Sequence, residues 1–332
     1  MSHAYNVAIA GATGAVGTEM IKTLERRSFP VKSLKLLASE RSRGKKLQFK
    51  GEDIEVEVLA EDSFDGVDIA LFSAGGGRSK QYAPAAVKAG AVVIDNSSAF
   101  RMDDNVPLVV PEVNAADIKQ HQGIIANPNC TTIIMLVALK PLHDLSPIKR
   151  VTVSTYQSIS GAGAKALAEL EEQTRQFLAG EPFEPQELPY RIAFNLFSHN
   201  TTIMENGYCE EEMKMVNETR KMLHDDSIRV CATCIRIPIQ RAHAETMSIE
   251  QERKVSVEEA REAIRNAPGV VLADDRENNY FPMPMDVNER EDVAVGRIRD
   301  DLSCDNGLSL FCCGDQLLKG AALNAVQIAE AL

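Results

Sequence analysis

At 332 residues, 44% hydrophobic and 25% charged, the chain has the length of two soluble domains rather than one core. A formal net charge of −12 argues against nucleic acid or an anionic membrane as a partner, so an anionic substrate must be met by local Arg and Lys side chains. No apolar run nears the roughly 20 residues a membrane helix needs. The opening Met1-Ser2-His3-Ala4-Tyr5 leads into a strand with no signal peptide, and seven cysteines then suit reduced thiols in the cytoplasm.

Asn6-Val7-Ala8-Ile9-Ala10 reads as a buried strand, Gly11-Ala12-Thr13-Gly14-Ala15-Val16-Gly17 as a tight turn, and the residues from Glu19 to Leu24 as a helix. Strand, glycine-rich turn and helix open a Rossmann unit, in which a pyrophosphate rests on the helix N-terminus. The spacing is GxxGxxG rather than GxGxxG, and an ordinary βα turn is the plain alternative. A second strand over 34–38 runs into Ser39-Glu40-Arg41-Ser42-Arg43-Gly44, where hydroxyls and arginines suit a 2′-phosphate. That favours NADP over NAD; a solvated basic loop is the alternative. Further strands are expected over 67–73 and 91–95, with a helix over 79–88 between them. Arg101 follows the strand 91–95, placed either for an anion or for a surface salt bridge. Leu108 to Asn114 reads as a short strand ending in a turn.

Asn127-Pro128-Asn129-Cys130-Thr131-Thr132 separates a strand end at 123–126 from an apolar helix over 133–139. Pro128 blocks a helix before it, and Thr131 or Thr132 is expected to cap the one after it. Cys130 then sits beside backbone N–H groups that stabilise a thiolate or an oxyanion. A buried structural cysteine is the equal alternative.

The second half is expected to hold an antiparallel sheet, with strands over 149–157, 229–237, 293–299 and 307–313. Ser158 to Gly163 is a small-residue loop that either touches a nicotinamide or merely connects. Helices are expected over 164–178, from Glu210 to about Leu223 and over 257–266, with an irregular excursion at 181–189. Glu211 and Lys214 share a helix face, as a site pair or a plain surface ion pair. Cys231 and Cys234 form a CxxC with no companion motif, so no metal site is expected. A terminal helix from about Gly314 is expected to pack back on the first domain.

Taken in order, the 11–17 turn, Asn127–Thr132, Gln157 with Ser160-Gly161-Ala162-Gly163, Glu211-x-x-Lys214, Arg236 to His243 and Lys319-Gly320-Ala321-Ala322-Leu323-Asn324-Ala325 resemble aspartate-semialdehyde dehydrogenase of the bacterial kind. The 181–189 excursion is similar to the Gram-positive-type branch. The resemblance implies an α/β fold: an N-terminal Rossmann-type NADP-binding domain (1–129, completed by 311–332) and an α+β substrate and dimerisation domain (130–310) in a cytoplasmic homodimer. The implied reaction is the NADPH-dependent reductive dephosphorylation of L-aspartyl-4-phosphate to L-aspartate 4-semialdehyde and phosphate. It feeds lysine (through diaminopimelate), methionine, threonine and isoleucine synthesis.

In that family the match makes Cys130 the nucleophile, His243 the acid/base and Gln157 the group that orients the acyl carbon. Arg236 would bind the α-carboxylate and Glu211 the ammonium, while Arg101, Lys214 and Asn129 would hold phosphate. Thr13, Gly14, Ala15, Val16, Arg41, Ser42, Ser160, Gly161 and Gln316 fall at cofactor positions. Two alternatives are another acyl-phosphate reductase, such as N-acetyl-γ-glutamyl-phosphate reductase, and a non-catalytic nucleotide-binding relative. Glu211 argues against the first, since an acetylated amine needs no counter-charge. The joint presence of Cys130, Gln157, Arg236 and His243 argues against the second.

Overall fold

The computed structural model describes residues 4–332, so the reading of Met1-Ser2-His3 lies outside it. The chain divides into two compact units: one runs to Asn129 and includes Ala321–Leu332, and the other spans Cys130–Gly320.

The first unit alternates β1 (Tyr5–Ala10), α1 (Ala15–Arg26), β2 (Val31–Ala38), the hairpin β3 (Lys46–Phe49) and β4 (Glu52–Val58), β5 (Ile69–Phe72), α2 (Gly76–Lys88), β6 (Val92–Asp95), α3 (Pro111–Asn114) and β7 (Ile124–Ala126). The sheet order is β3-β4-β2-β1-β5-β6-β7. Every pairing is parallel except the β3–β4 hairpin. Buried runs such as Val7–Ala10 and Ile69–Phe72 form this sheet because helices cover both of its faces. From β1 the chain first moves to β2 and later returns to β5 on the other side, which opens a crevice at the carboxyl ends of β1 and β5. The expected strand at 108–114 is instead one bridge at Leu108 followed by a short helix, because Pro111 sits at its first position with its φ already helical.

The second unit holds α4 (Cys130–Leu145), β8 (Ile148–Gln157), α5 (Ala164–Ala179), β9 (Phe197–Ser198), α6 (Glu210–Leu223), β10 (Arg229–Arg236), β11 (His243–Gln251), α7 (Val257–Asn266), β12 (Val270–Leu272), α8 (Pro284–Val287), β13 (Val293–Asp300) and β14 (Gly307–Gly314). Its sheet runs β12-β13-β14-β11-β8-β10-β9. The antiparallel expectation holds only in part: β10 pairs with β8 and β12 with β13 in parallel, because helices intervene in both connections. Helices α4, α6 and α7 pack on one face. The opposite face leaves Thr152, Cys231 and Thr233 exposed.

Helix α4 starts at Cys130 itself, so Thr131 and Thr132 lie in its first turn and do not cap it. The return to the first unit starts at Ala321 rather than 311, because 311–314 are still the end of β14, paired with β11 and β13. A π-helical turn, Leu318–Ala322, then leads into α9 (Leu323–Glu330), which packs on α1 and α3. Among the described residues no helix is long and apolar enough to cross a membrane.

Candidate active site

In the first unit, Gly11, Thr13, Gly14, Ser39, Arg41, Ser42, Ser73 and Arg78 line a cavity of about 220 Å³ at the crevice between β1 and β5. Two glycines are dictated by contact. At Gly11 a Cβ would lie 2.3 Å from the Ser73 carbonyl oxygen, and at Gly17 it would lie 2.2 Å from that of Gly11. Ala15 and Val16 are the first two residues of α1, whose amides have no helical acceptor. Thr13 and Ser42 hydroxyls meet at 3.2 Å, tying the glycine-rich turn to the loop after β2. Glu40, whose carboxylate would oppose a 2′-phosphate, pairs with Arg43 at 3.4 Å. Arg78 was not singled out from the sequence. It adds a second guanidinium, placed in the first turns of α2 by the Gly75–Gly77 entry. The lining of glycine backbone, hydroxyls and two arginines fits a phosphorylated dinucleotide.

Arg101 is buried, with Nε and Nη2 donating to the Asn127 and Asn96 carbonyl oxygens at 2.9 and 2.8 Å. Its charge is thus buried and met by backbone carbonyl dipoles at the carboxyl ends of β6 and β7. Asn129 is also buried.

In the second unit the strands line up the polar groups. Arg236 pairs with Gln157 across β10 and β8. His243 precedes the Ala244–Tyr156 pair of β11 and β8, so it stands beside Gln157 on the same sheet face. The fully buried His243 ring receives the Ser158 N–H on Nδ1 at 3.0 Å. That donor leaves the neutral ring's proton on Nε2, which lies 3.5 Å from Cys130 Sγ. Burial, then the Arg236 charge, lower the His243 pKa to about 3. The imidazole thus faces the thiol as a neutral N–H donor. The start of α4 adds its dipole, so a thiolate at Cys130 is favoured from two sides. Gly320 completes the fit, since a Cβ there would come 2.9 Å from Cys130 Cβ.

Glu211 and Lys214 are not a plain surface pair. Glu211 is buried, and its carboxylate accepts from Lys214 Nζ at 3.0 Å and from Gln157 Nε2 at 3.2 Å. Thr155 donates to Gln157 Oε1 at 3.1 Å, so both ends of that amide are fixed. Arg236 is buried and donates to the Ser158 carbonyl oxygen at 3.3 Å. Burial lowers its pKa while Glu211 supports its charge. Gly161 passes close above, where a Cβ would lie 3.4 Å from both Arg236 Nη1 and His243 Cε1. Ser160 is bound by Gln316 Nε2, and Gln316 Oε1 accepts the Ala242 N–H. The Gln316 amide is thus engaged within the protein, which leaves its backbone as the part able to meet a ligand. The CxxC cysteines lie three apart on β10 and point to opposite faces, with Cys231 exposed and Cys234 buried, so they cannot chelate together. Ser158 and Thr155, which orient the two central side chains, carried no signal in the sequence.

The arrangement sets a nucleophilic sulfur against an N–H donor, beside a carboxylate, an ammonium and a guanidinium. That is a set for covalent acyl chemistry on a zwitterionic substrate. Comparison with known proteins agrees. Residues 6–121 match the semialdehyde dehydrogenase NAD-binding domain and residues 139–319 the semialdehyde dehydrogenase dimerisation domain. An aspartate-semialdehyde dehydrogenase from Synechocystis sp. is 58% identical, over 98% of this chain and 96% of that protein. One from Bacillus subtilis is 52% identical, over 100% of this chain and 98% of that protein. The crystal structure of aspartate semialdehyde dehydrogenase II from Vibrio cholerae, complexed with ASA, superposes with a TM-score of 0.97. Its identity is 47%, covering 100% of this chain and 98% of that one. The chain belongs to the aspartate-semialdehyde dehydrogenase family.

Proposed function

We propose that the protein reduces L-aspartyl-4-phosphate to L-aspartate 4-semialdehyde and phosphate, with NADPH as reductant. The observation that carries this reading is the Cys130 sulfur at the start of α4, 3.5 Å from a His243 Nε2 whose proton is set by Ser158. The Cys130 thiolate attacks the acyl carbon, and expulsion of phosphate leaves a thioester. The nicotinamide, when bound, supplies hydride to that carbon. The alkoxide so formed collapses by breaking the C–S bond, which frees the aldehyde and restores the thiolate without a net proton. His243 Nε2–H holds the negative charge on sulfur or oxygen in turn, and it gives and takes back the oxygen's proton in the reverse direction.

Gln157, fixed by Thr155 and Glu211, orients the acyl oxygen. Arg236 takes the α-carboxylate and Glu211 the ammonium; Lys214, Arg101 and Asn129 serve the phosphate. Arg41, Ser42 and Arg78 favour NADP over NAD, with Thr13 to Val16 under the pyrophosphate and Ser160, Gly161 and the Gln316 backbone toward the nicotinamide. We place the enzyme in the cytoplasm as a homodimer, with the polar sheet face around Thr152 and Thr233 as the contact, in amino-acid biosynthesis leading to lysine, methionine, threonine and isoleucine.

The test is oxidation of L-aspartate 4-semialdehyde followed by nicotinamide absorbance, with and without phosphate and with NADP and NAD in parallel. Phosphate-dependent turnover that prefers NADP is expected. Turnover independent of phosphate would overturn the acyl-phosphate chemistry, and equal rates with NAD would overturn the cofactor choice.

A further inference from the structure

His199 is a buried histidine that the reaction above does not use. It follows β9, and its N–H donates to the Cys234 carbonyl oxygen at 2.8 Å, which seats it against the end of β10 that carries Arg236. Its Nδ1 lies 3.3 Å from the Thr201 hydroxyl, and that hydroxyl accepts the Glu211 N–H at 3.2 Å. Its Nε2 is buried with no partner in the protein. Three charged groups of the substrate cluster act on the ring: Arg236, Glu211 and Lys214. Burial, reinforced by Arg236, lowers its pKa to about 4, so the ring is neutral at neutral pH.

A buried ring nitrogen without a partner costs desolvation energy unless something occupies it. The Thr201 hydroxyl oxygen accepts the Glu211 N–H, and its own proton is available to His199 Nδ1. In that arrangement the imidazole proton sits on Nε2, which has no partner in the protein. The surrounding cations would repel a protonated ring, but they gather anionic oxygens.

We propose that His199 Nε2–H is a further substrate contact, donating to the carboxylate that Arg236 binds. The proposal rests on the reading of Arg236 as the carboxylate site. In this role His199 selects for substrates carrying that acid group, because without it the donor stays buried and unmet.

Two variants separate the contact from a structural brace. His199→Asn keeps a polar atom near Nδ1, and so keeps the contact with Thr201. His199→Gln carries an amide nitrogen near Nε2. The measurement is KM and kcat for L-aspartate 4-semialdehyde, and for 3-aminopropanal, which lacks the carboxylate, with NADP and phosphate saturating. His199→Asn is expected to raise KM for the semialdehyde about tenfold or more, as for a lost hydrogen bond to a charged group, with kcat and KM for phosphate unchanged. His199→Gln should recover most of that loss, and the two variants should match wild type on 3-aminopropanal. An unchanged KM in His199→Asn, or equal impairment in both variants, would overturn the contact. Arg236→Lys distinguishes the parent reading: if its KM for the semialdehyde is that of wild type, the carboxylate is not held there and both fall. If Arg236→Lys raises KM and His199→Asn does not, only His199 is removed from the site.

Discussion

Glu245 lies two residues beyond His243 on β11, on the same sheet face, opposite Thr155 of β8 and Cys312 of β14. It is fully buried, and neither carboxyl oxygen has a hydrogen-bond partner. Burial raises its pKa well above the ordinary 4.5, and no counter-charge opposes the shift. The thiols around it are likewise held neutral: burial pushes up Cys312 and Cys313, and the Glu245 charge would push them further. Burial therefore favours the carboxylic acid over the carboxylate in the fold, and between pH 4.5 and the raised folded pKa folding takes up a proton.

The sign follows from proton counts. Above pH 4.5 the unfolded chain has lost this proton and the folded one keeps it, so stability falls as pH rises toward the folded pKa. Between the unfolded and the raised folded pKa the slope approaches about 1.4 kcal/mol per pH unit. Glu245→Gln removes this term and leaves the other titrations in place. The difference in stability, variant minus wild type, should therefore grow as pH rises above 4.5, by up to about 1.4 kcal/mol per pH unit, whatever its offset. Urea unfolding at fixed protein concentration, followed by far-UV circular dichroism because the chain has no Trp, measures it. Parallel pH dependences in the two proteins would refute the reasoning and mean that Glu245 is ionised in the fold. A protonated-carboxyl band in the infrared difference spectrum, wild type minus variant, gives the same answer independently.

Cys130→Ala should lower turnover by several orders of magnitude while NADP binding by calorimetry stays intact; residual turnover within about tenfold would rule out the covalent route. Arg236→Lys should raise KM for the semialdehyde roughly tenfold to a hundredfold, because an ammonium cannot reproduce the guanidinium fork; steady-state kinetics reads it directly. Gly320→Ala should displace Cys130 from its place before His243, with kcat falling roughly a hundredfold and slower alkylation of the thiol by iodoacetamide. Wild-type rates there would mean that the Cys130 backbone yields at no cost.

The local parts of this molecule were legible in the sequence. The β1–α1 entry is a strand, a glycine turn and a helix within twenty-odd residues, and its contacts are short-range, so residue type and order suffice. The parallel pairing of β8 with β10 joins residues about eighty apart through two helices and an irregular stretch, and no local pattern encodes it. Strand β11 shows why the rest was hidden. Met247 and Ile249 declare one face of it apolar and buried, yet His243 and Glu245 occupy that same face and break the alternation by which a strand is recognised. Gln157 on β8 and Arg236 on β10 break it in the same way, each at the last residue of its strand. A buried face tolerates polar groups only where partners or a ligand meet them, so the places where the hydrophobic pattern fails and the face stays buried are where the chemistry sits. By that rule Ser158 stays invisible, because its backbone N–H and its hydroxyl, 3.0 and 3.1 Å from His243 Nδ1, act from a small-residue loop with no hydrophobic pattern to break. His199 stays hidden because the irregular stretch around it has no pattern to break.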